Sequence, residues 1–296
     1  MKLLLVINPV SGGIDKKPFT DEAQLLCERY GIDYKIMYTS GDKDAQSLRK
    51  TLDSFRPDKI AAVGGDGTIR LVALCLEGTS YPFGIVPMGS SNGLAKEFFV
   101  NRQPIDALKD IIMSSHYMSL DLIAVNEDYK CLHIGDLGLN AEIVAGFDED
   151  EARGLSVYAK YMFRELRNSE PFQIHLKTDE GEFDEEVVMV VLCNARQFGI
   201  GLTINPEGDP SDGIFEIVLV RPAKVSSLIK AGLSGFMDYL REQGLVKTIR
   251  TRQAEIELDT GRLLQLDGEI AGEFRSLDVR IKEGAVKLIS TSDKEF

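Results

Sequence analysis

Gly64-Gly65-Asp66-Gly67-Thr68, directly behind the run Lys59-Ile60-Ala61-Ala62-Val63, constrains this chain more than any other segment. A short apolar run ending in glycines reads as a buried strand that turns sharply into a helix. Glycine tolerates backbone conformations and close approaches that a Cβ forbids, and the amides opening the next helix point at whatever anion sits before them. A nucleotide phosphate suits such a turn. Asp66 alone would repel that phosphate, so its carboxylate binds a metal, accepts from a hydroxyl or takes a proton during reaction, and each points to phosphoryl transfer. Read without its neighbours, a Gly-Asp-Gly turn is equally an ordinary strand-to-helix joint.

The neighbours supply the context. Strands are predicted over 3–7, 34–38, 60–63 and 83–86, with helices near 20–30, 42–55 and 69–76 between them. Such alternation implies a parallel sheet with ligands at the carboxyl ends of its strands. Small-residue turns fall at those ends: Asn8-Pro9-Val10-Ser11-Gly12-Gly13, Thr39-Ser40-Gly41, the turn around Asp66, and Pro87-Met88-Gly89-Ser90-Ser91-Asn92-Gly93. Beyond about Ser119 the pattern changes to closely spaced strands at 120–125, 130–134, 172–176, 187–192, 215–220, 254–258, 263–266 and 277–281, several alternating apolar and polar residues. Helical patterns interrupt them near 155–167 and 223–243. The expected architecture is an N-terminal Rossmann-like α/β nucleotide-binding domain over 1–119 and a C-terminal antiparallel β-sandwich-like domain over 120–296, with the last strand free to return to the first domain.

The 296 residues carry a formal net charge of -13, which argues against a nucleic-acid binder, and no apolar run approaches the length of a membrane span. Cys27, Cys75, Cys131 and Cys193 stand far apart, without zinc or disulfide spacing, and read as buried thiols of a reducing, cytoplasmic compartment. His116, His133 and His175 are too scattered for a triad or a metal site, and the P-loop pattern GxxxxGK[ST] occurs nowhere.

The ordered set NPVSGG, GGDGT, PMGSSN and a late Leu266-Asp267-Gly268-Glu269 resembles the diacylglycerol kinase catalytic family, which includes bacterial soluble lipid kinases and sphingosine kinases. The resemblance covers nearly the whole chain. It implies an ATP-dependent lipid kinase with its active site between the two domains. By matching motifs, Asn8, Pro9, Ser11, Gly12, Thr39, Gly64, Gly65, Asp66, Gly67, Thr68, Gly89, Ser90 and Asn92 line the ATP site, and Glu269 is the general base. Asp212, with Asp209 and the carbonyl of Ile214, matches a position that holds a structural magnesium. Ser90 and Gly93 depart from the P-x-GT-x-ND segment of many bacterial members, which brings the segment closer to the sphingosine kinase version.

Phosphoryl transfer needs amides and a divalent cation around the phosphates and a base on the acceptor hydroxyl. Asp267-Gly268-Glu269 presents two carboxylates at a strand end, with Asp66 the rival base; an acidic hairpin turn is the plainer reading of the same residues. ATP and Mg²⁺ are the expected cofactors and a lipid the expected substrate, with a homodimer left open. The basic stretch from Arg221 to Arg252, including Lys224 and Lys230, would let one helix touch a membrane transiently, or simply pack on the sandwich with its lysines in water. NAD kinase, which shares GGDGT, and a non-catalytic nucleotide-binding regulator are the alternatives.

Overall fold

The computed structural model of the chain describes residues 1–138, 170–197, 203–222 and 236–290. The helix expected over 155–167, most of that expected over 223–243, and the pair Lys224 and Lys230 lie outside the described residues. The chain divides into two compact units, Met1–Leu120 with Gly284–Phe296, and Asp121–Glu283.

In the first unit, β1 (Lys2–Ile7), β2 (Asp33–Tyr38), β3 (Lys59–Gly64) and β4 (Pro82–Pro87) alternate with α1 (Lys17–Arg29), α2 (Asp44–Phe55) and α3 (Asp66–Leu76). Neighbouring strands run parallel in the order β4-β3-β1-β2. Leu3 to Ile7 are at most 1% exposed, as expected of a parallel strand covered on both faces, which has no solvent side to encode. Two short helices follow, α4 (Gly93–Glu97) and α5 (Pro104–Met113). α5 was not among the helices predicted. Gly84 of β4 admits α5, since a Cβ there would lie 2.3 Å from Cγ1 of Ile111. Lys59 Nζ donates to the carbonyls of Ile111, Ile112 and Ser114, closing the carboxyl end of α5 with a cation. The sheet gains a fifth strand from the far end of the chain: Lys287 and Leu288 of β14 (Glu269–Ser290) pair with Pro82 and Phe83 of β4.

The remaining strands are β5 (His116–Val125), β6 (Tyr129–Cys131), β7 (Ile134–Leu137), β8 (Phe172–Thr178), β9 (Gly181–Val187), β10 (Met189–Cys193), β11 (Phe215–Val220), β12 (Val246–Thr251) and β13 (Gln253–Leu266), with α6 (Phe236–Glu242) before β12. In the second unit the order is β12-β11-β10-β7-β13-β14, each neighbouring pair antiparallel. β13 serves two partners: Ala254–Leu258 pair with β8, and Leu264–Leu266 with β7, across a register shift between Glu257 and Arg262. Such a bulge bends a strand and lets it turn a sheet upon itself. The core so enclosed packs Phe172, Ile174 and Leu176 with Leu137, Val190, Leu192, Phe215 and Ile217. The α/β unit and the antiparallel sandwich-like unit are the two classes predicted.

Three local differences have physical causes. The strand expected over 130–134 is two strands, because the amides of Leu132 and His133 leave the ladder for the carboxylate of Asp267 at 2.8 Å each. The strands expected at 254–258 and 263–266 are one bulged strand. β9, an edge strand of sequence GEFDEEV, and β12, VKTIRT, were missed because their charge hides the alternation. Among the described residues no helix is long and apolar enough to cross a membrane.

Candidate active site

Three of the predicted glycine turns meet in the first unit, backbone against backbone. Gly12, at φ +64°, would place a Cβ 2.9 Å from the carbonyl oxygen of Met88, and a Cβ on Gly89 would lie 2.3 Å from the Cα of Gly65. Side chains are excluded there by contact, not by flexibility alone. Ser11 Oγ donates to the carbonyls of Met88 at 3.0 Å and Asn8 at 3.2 Å, and Asn8 N donates to Val63 O at 3.0 Å, so the first turn is fastened to the third and fourth. Asn92 closes the fourth turn on itself: its Oδ1 accepts from Gly89 N at 2.8 Å and its Nδ2 donates to Gly89 O at 2.9 Å. Thr39 N donates to Ile7 O at 2.9 Å, which sets the second turn beside the first strand's end. Pro9 and Ser90 are exposed.

Asp66 has a role the sequence did not suggest. Its two oxygens accept from the amides of Gly93 and Leu94, at 2.9 Å each. The carboxylate therefore sits on the first two amides of α4, where negative charge is favoured, and ties the third turn to the fourth. One lone pair on each oxygen remains beyond these bonds.

Two features fit this cradle to a phosphate-bearing ligand. Thr68 Oγ1, at the start of α3, is buried with no hydrogen-bond partner, and buried hydroxyls are ordinarily paired. Added Cβ atoms on Gly13 and Gly67 would meet nothing within 4 Å, so the space in front of these two Cα atoms is open. Sequence reasoning overlooked Lys16, only 4% exposed, whose Nζ donates to the carbonyls of Ser11 and Ile14. Burial holds its pKa below the usual lysine value. A lysine four residues past Gly12 carries no signal that separates it from a surface one.

In the second unit, Leu266 pairs with Glu269 across Asp267 and Gly268, both at positive φ, 52° and 89°. This is a two-residue Asp-Gly hairpin of the primed type. Asp267 is spent on the framework: Oδ2 accepts from Leu132 N, and Oδ1 from His133 N at 2.8 Å and Cys131 Sγ at 3.1 Å. Glu269, at the start of β14, is exposed. The hairpin is thus anchored by one carboxylate and displays the other.

The loop proposed for magnesium is neutralised from within the chain. Asp212 Oδ2 meets Arg250 Nη2 at 2.6 Å, and Asp212 Oδ1 accepts from Ile214 N at 3.0 Å. Asp209 Oδ1 accepts from Ser211 N at 2.9 Å and Ser211 Oγ at 2.6 Å. The same guanidinium reaches Glu216, 3% exposed, at 3.1 Å, and Asn205 Nδ2 donates to Glu216 at 2.6 Å. Burial nonetheless raises the pKa of both Asp212 and Glu216 above their ordinary values. No group of three His, Cys, Asp or Glu that could hold a metal occurs among the described residues. A divalent ion here would have to share the Asp212 carboxylate with the Arg250 guanidinium. With nucleotide absent, EDTA should leave the melting temperature unchanged. Arg250→Met, by stranding Glu216, should cost about 1–3 kcal/mol. A saturable rise of the wild-type melting temperature with Mg²⁺ would show the loop to be held by metal.

The model of the diacylglycerol kinase catalytic domain matches residues 2–125, and that of the YegS C-terminal NAD kinase beta sandwich-like domain matches residues 137–290. The chain belongs to the diacylglycerol kinase family. Within that family it is 25% identical over 280 residues to a diacylglycerol kinase of Mycobacterium tuberculosis, covering 91% of this chain and 89% of the relative. It is 23% identical over 283 residues to a diacylglycerol kinase of Bacillus subtilis, covering 92% of each. A crystal structure of a diacylglycerol kinase from Bacillus anthracis superposes with a TM-score of 0.72 at 18% identity, over 98% of this chain and 96% of that one, a likeness of fold. Membership makes the chain a phosphotransferase that acts on an alcohol group, and as a kinase it uses ATP.

Proposed function

We propose that this kinase transfers the γ-phosphate of ATP to a hydroxyl of diacylglycerol or a related lipid, sphingoid bases included. One observation carries the nucleotide half of the reading: three glycine turns packed backbone to backbone leave open space before Gly13 and Gly67 and a buried, unpartnered hydroxyl at Thr68. Glycine turns that leave such space at the start of a helix, beside a hydroxyl with no partner, suit phosphate oxygens. Mg²⁺·ATP supplies the phosphoryl group and the divalent charge that offsets it. Asn8, Ser11 and Asn92 hold the turns in place, and Asp66 keeps the fourth turn against the third. Glu269 is the base that takes the proton of the acceptor hydroxyl, and Asp267 fixes the hairpin that displays it. A lipid acceptor requires the protein to work at a membrane surface, and four buried free thiols suit a reducing cytoplasm.

The test is incubation with Mg²⁺ and γ-labelled ATP against detergent-dispersed diacylglycerol, monoacylglycerol, sphingosine and ceramide, with soluble NAD in parallel. Label in a lipid is the expected result, and label in NAD alone would sink the proposal. Gly67→Ala isolates the nucleotide half. The added methyl meets no protein atom, and in the first turn of α3 it should stabilise by up to about 1 kcal/mol. ATP affinity should nevertheless fall at least ~10-fold, because the methyl occupies the space before the turn. Unchanged affinity by calorimetry would place the phosphates elsewhere.

A further inference from the structure

In the sheet of the second unit, Gln265 of β13 stands in register with Asp136 of β7 on one side and, across the hairpin, with Ile270 of β14 on the other. Paired residues in a sheet project to the same face, so the three form a row. Leu137, Leu264 and Val190, one position away, project to the opposite face and into the hydrophobic core. Exposure falls steeply along the row, from 55% at Ile270 to 8% at Gln265 and 0% at Asp136. The exposed end adjoins Glu269 in the chain.

Both carboxylate oxygens of Asp136 and the amide oxygen of Gln265 lack any hydrogen-bond partner. No cap, ion pair or turn uses Asp136, unlike Asp66, Asp121, Asp209, Asp212 and Asp267, each of which accepts from a backbone amide. Burial raises its pKa well above the ordinary aspartate value, and even a protonated Asp136 would bring one proton to three acceptor oxygens. Leaving such groups unmatched is costly, and leucine would fill the place more cheaply. Acceptors without donors are complementary to a ligand that brings donors.

We propose that Asp136 and Gln265 recognise a second hydrogen-bond donor, hydroxyl or ammonium, carried by the lipid beside the hydroxyl that is phosphorylated. The inference rests on the lipid-kinase reading and narrows it. In diacylglycerol the groups flanking the single hydroxyl are ester oxygens, which only accept. Monoacylglycerol offers a second hydroxyl, and a sphingoid base offers an ammonium. Sites built to bond a polar group discriminate strongly against analogues that lack it, because their own groups are then left unpaired.

The experiment compares wild type with Asp136→Leu and Asp136→Asn on three micellar substrates: monoacylglycerol and diacylglycerol of one acyl chain, and sphingosine. In the wild type, kcat/KM for monoacylglycerol or sphingosine should exceed that for diacylglycerol at least ~10-fold. Asp136→Leu should bring that ratio to within about twofold of one, chiefly through KM, without a lower melting temperature. Asp136→Asn, which keeps one acceptor and nearly the same volume, should give an intermediate ratio and serves if the leucine variant does not fold. A ratio unaltered in the variants, or a wild-type preference for diacylglycerol, overturns the inference and leaves the lipid-kinase reading standing. If no lipid is phosphorylated, that reading fails, and the melting shift caused by monoacylglycerol or sphingosine without nucleotide decides the inference. A shift lost in Asp136→Leu sustains it, and equal shifts or none overturn it.

Discussion

Gly89→Ala should unfold the nucleotide-binding unit at temperatures where the wild type is intact. The new Cβ would lie 2.3 Å from the Cα of Gly65, 2.9 Å from Oδ1 of Asn92 and 3.0 Å from the amide nitrogen of Gly65. Two of these three atoms belong to backbone and cannot rotate away. Relief requires the third and fourth turns to part, which breaks the bonds from Gly93 and Leu94 to Asp66 as well. Overpacking of this kind costs about 3 kcal/mol or more, a large share of a domain's stability of roughly 5–15 kcal/mol. Differential scanning calorimetry should show the melting temperature of this unit lowered by roughly 10 °C. A shift under about 2 °C would mean that the turns are not packed as described. Gly67→Ala, also a methyl on a glycine of the same set, is the natural control because it meets no protein atom.

Glu269→Gln should abolish most turnover without touching the fold. Glutamine keeps the shape and loses the proton-accepting charge. Removing a positioned base costs ~10²- to 10⁴-fold in rate, about 3–5 kcal/mol in the barrier. Glu269 is exposed at a hairpin whose geometry is fixed by Asp267, so the melting temperature and ATP affinity should both stay at wild-type values. A variant with more than about half the wild-type kcat would disqualify Glu269 as the base. The role would then fall to Asp66, although both of its oxygens already accept amide hydrogens.

What could be read from the sequence was whatever follows from local pattern. The apolar runs of β1 and β3 and the glycines behind them located the parallel sheet and its turns. The chemistry of Asp-Gly located the hairpin before Glu269. What could not be read depends on partners distant in the chain. Nothing near Asp66 announces the amides of Gly93 and Leu94 that bond its two oxygens. Nothing near Asp212 announces Arg250, its partner, which stands 38 residues on. Gly135-Asp136-Leu137 reads as a plain glycine-rich strand end, since the register that sets Asp136 against Gln265 exists only in the folded sheet. β9 and β12 escaped because charged residues on their open faces outweighed the buried ones.

The strand that completes the parallel sheet has a consequence for how the protein is made. Residues 1–120 form most of that unit, yet Lys287 and Leu288 supply the pairing for Pro82 and Phe83. Gly78 N also donates to Ala285 O, and Ser114 Oγ to Ser290 O. All of Asp121–Glu283 must therefore leave the ribosome before the edge of β4 is covered. At roughly 5–20 residues per second that is a wait on the order of ten to thirty seconds. Through that interval a nascent chain carries a hydrophobic strand with one open edge, the form most prone to pair with a neighbour on the same message.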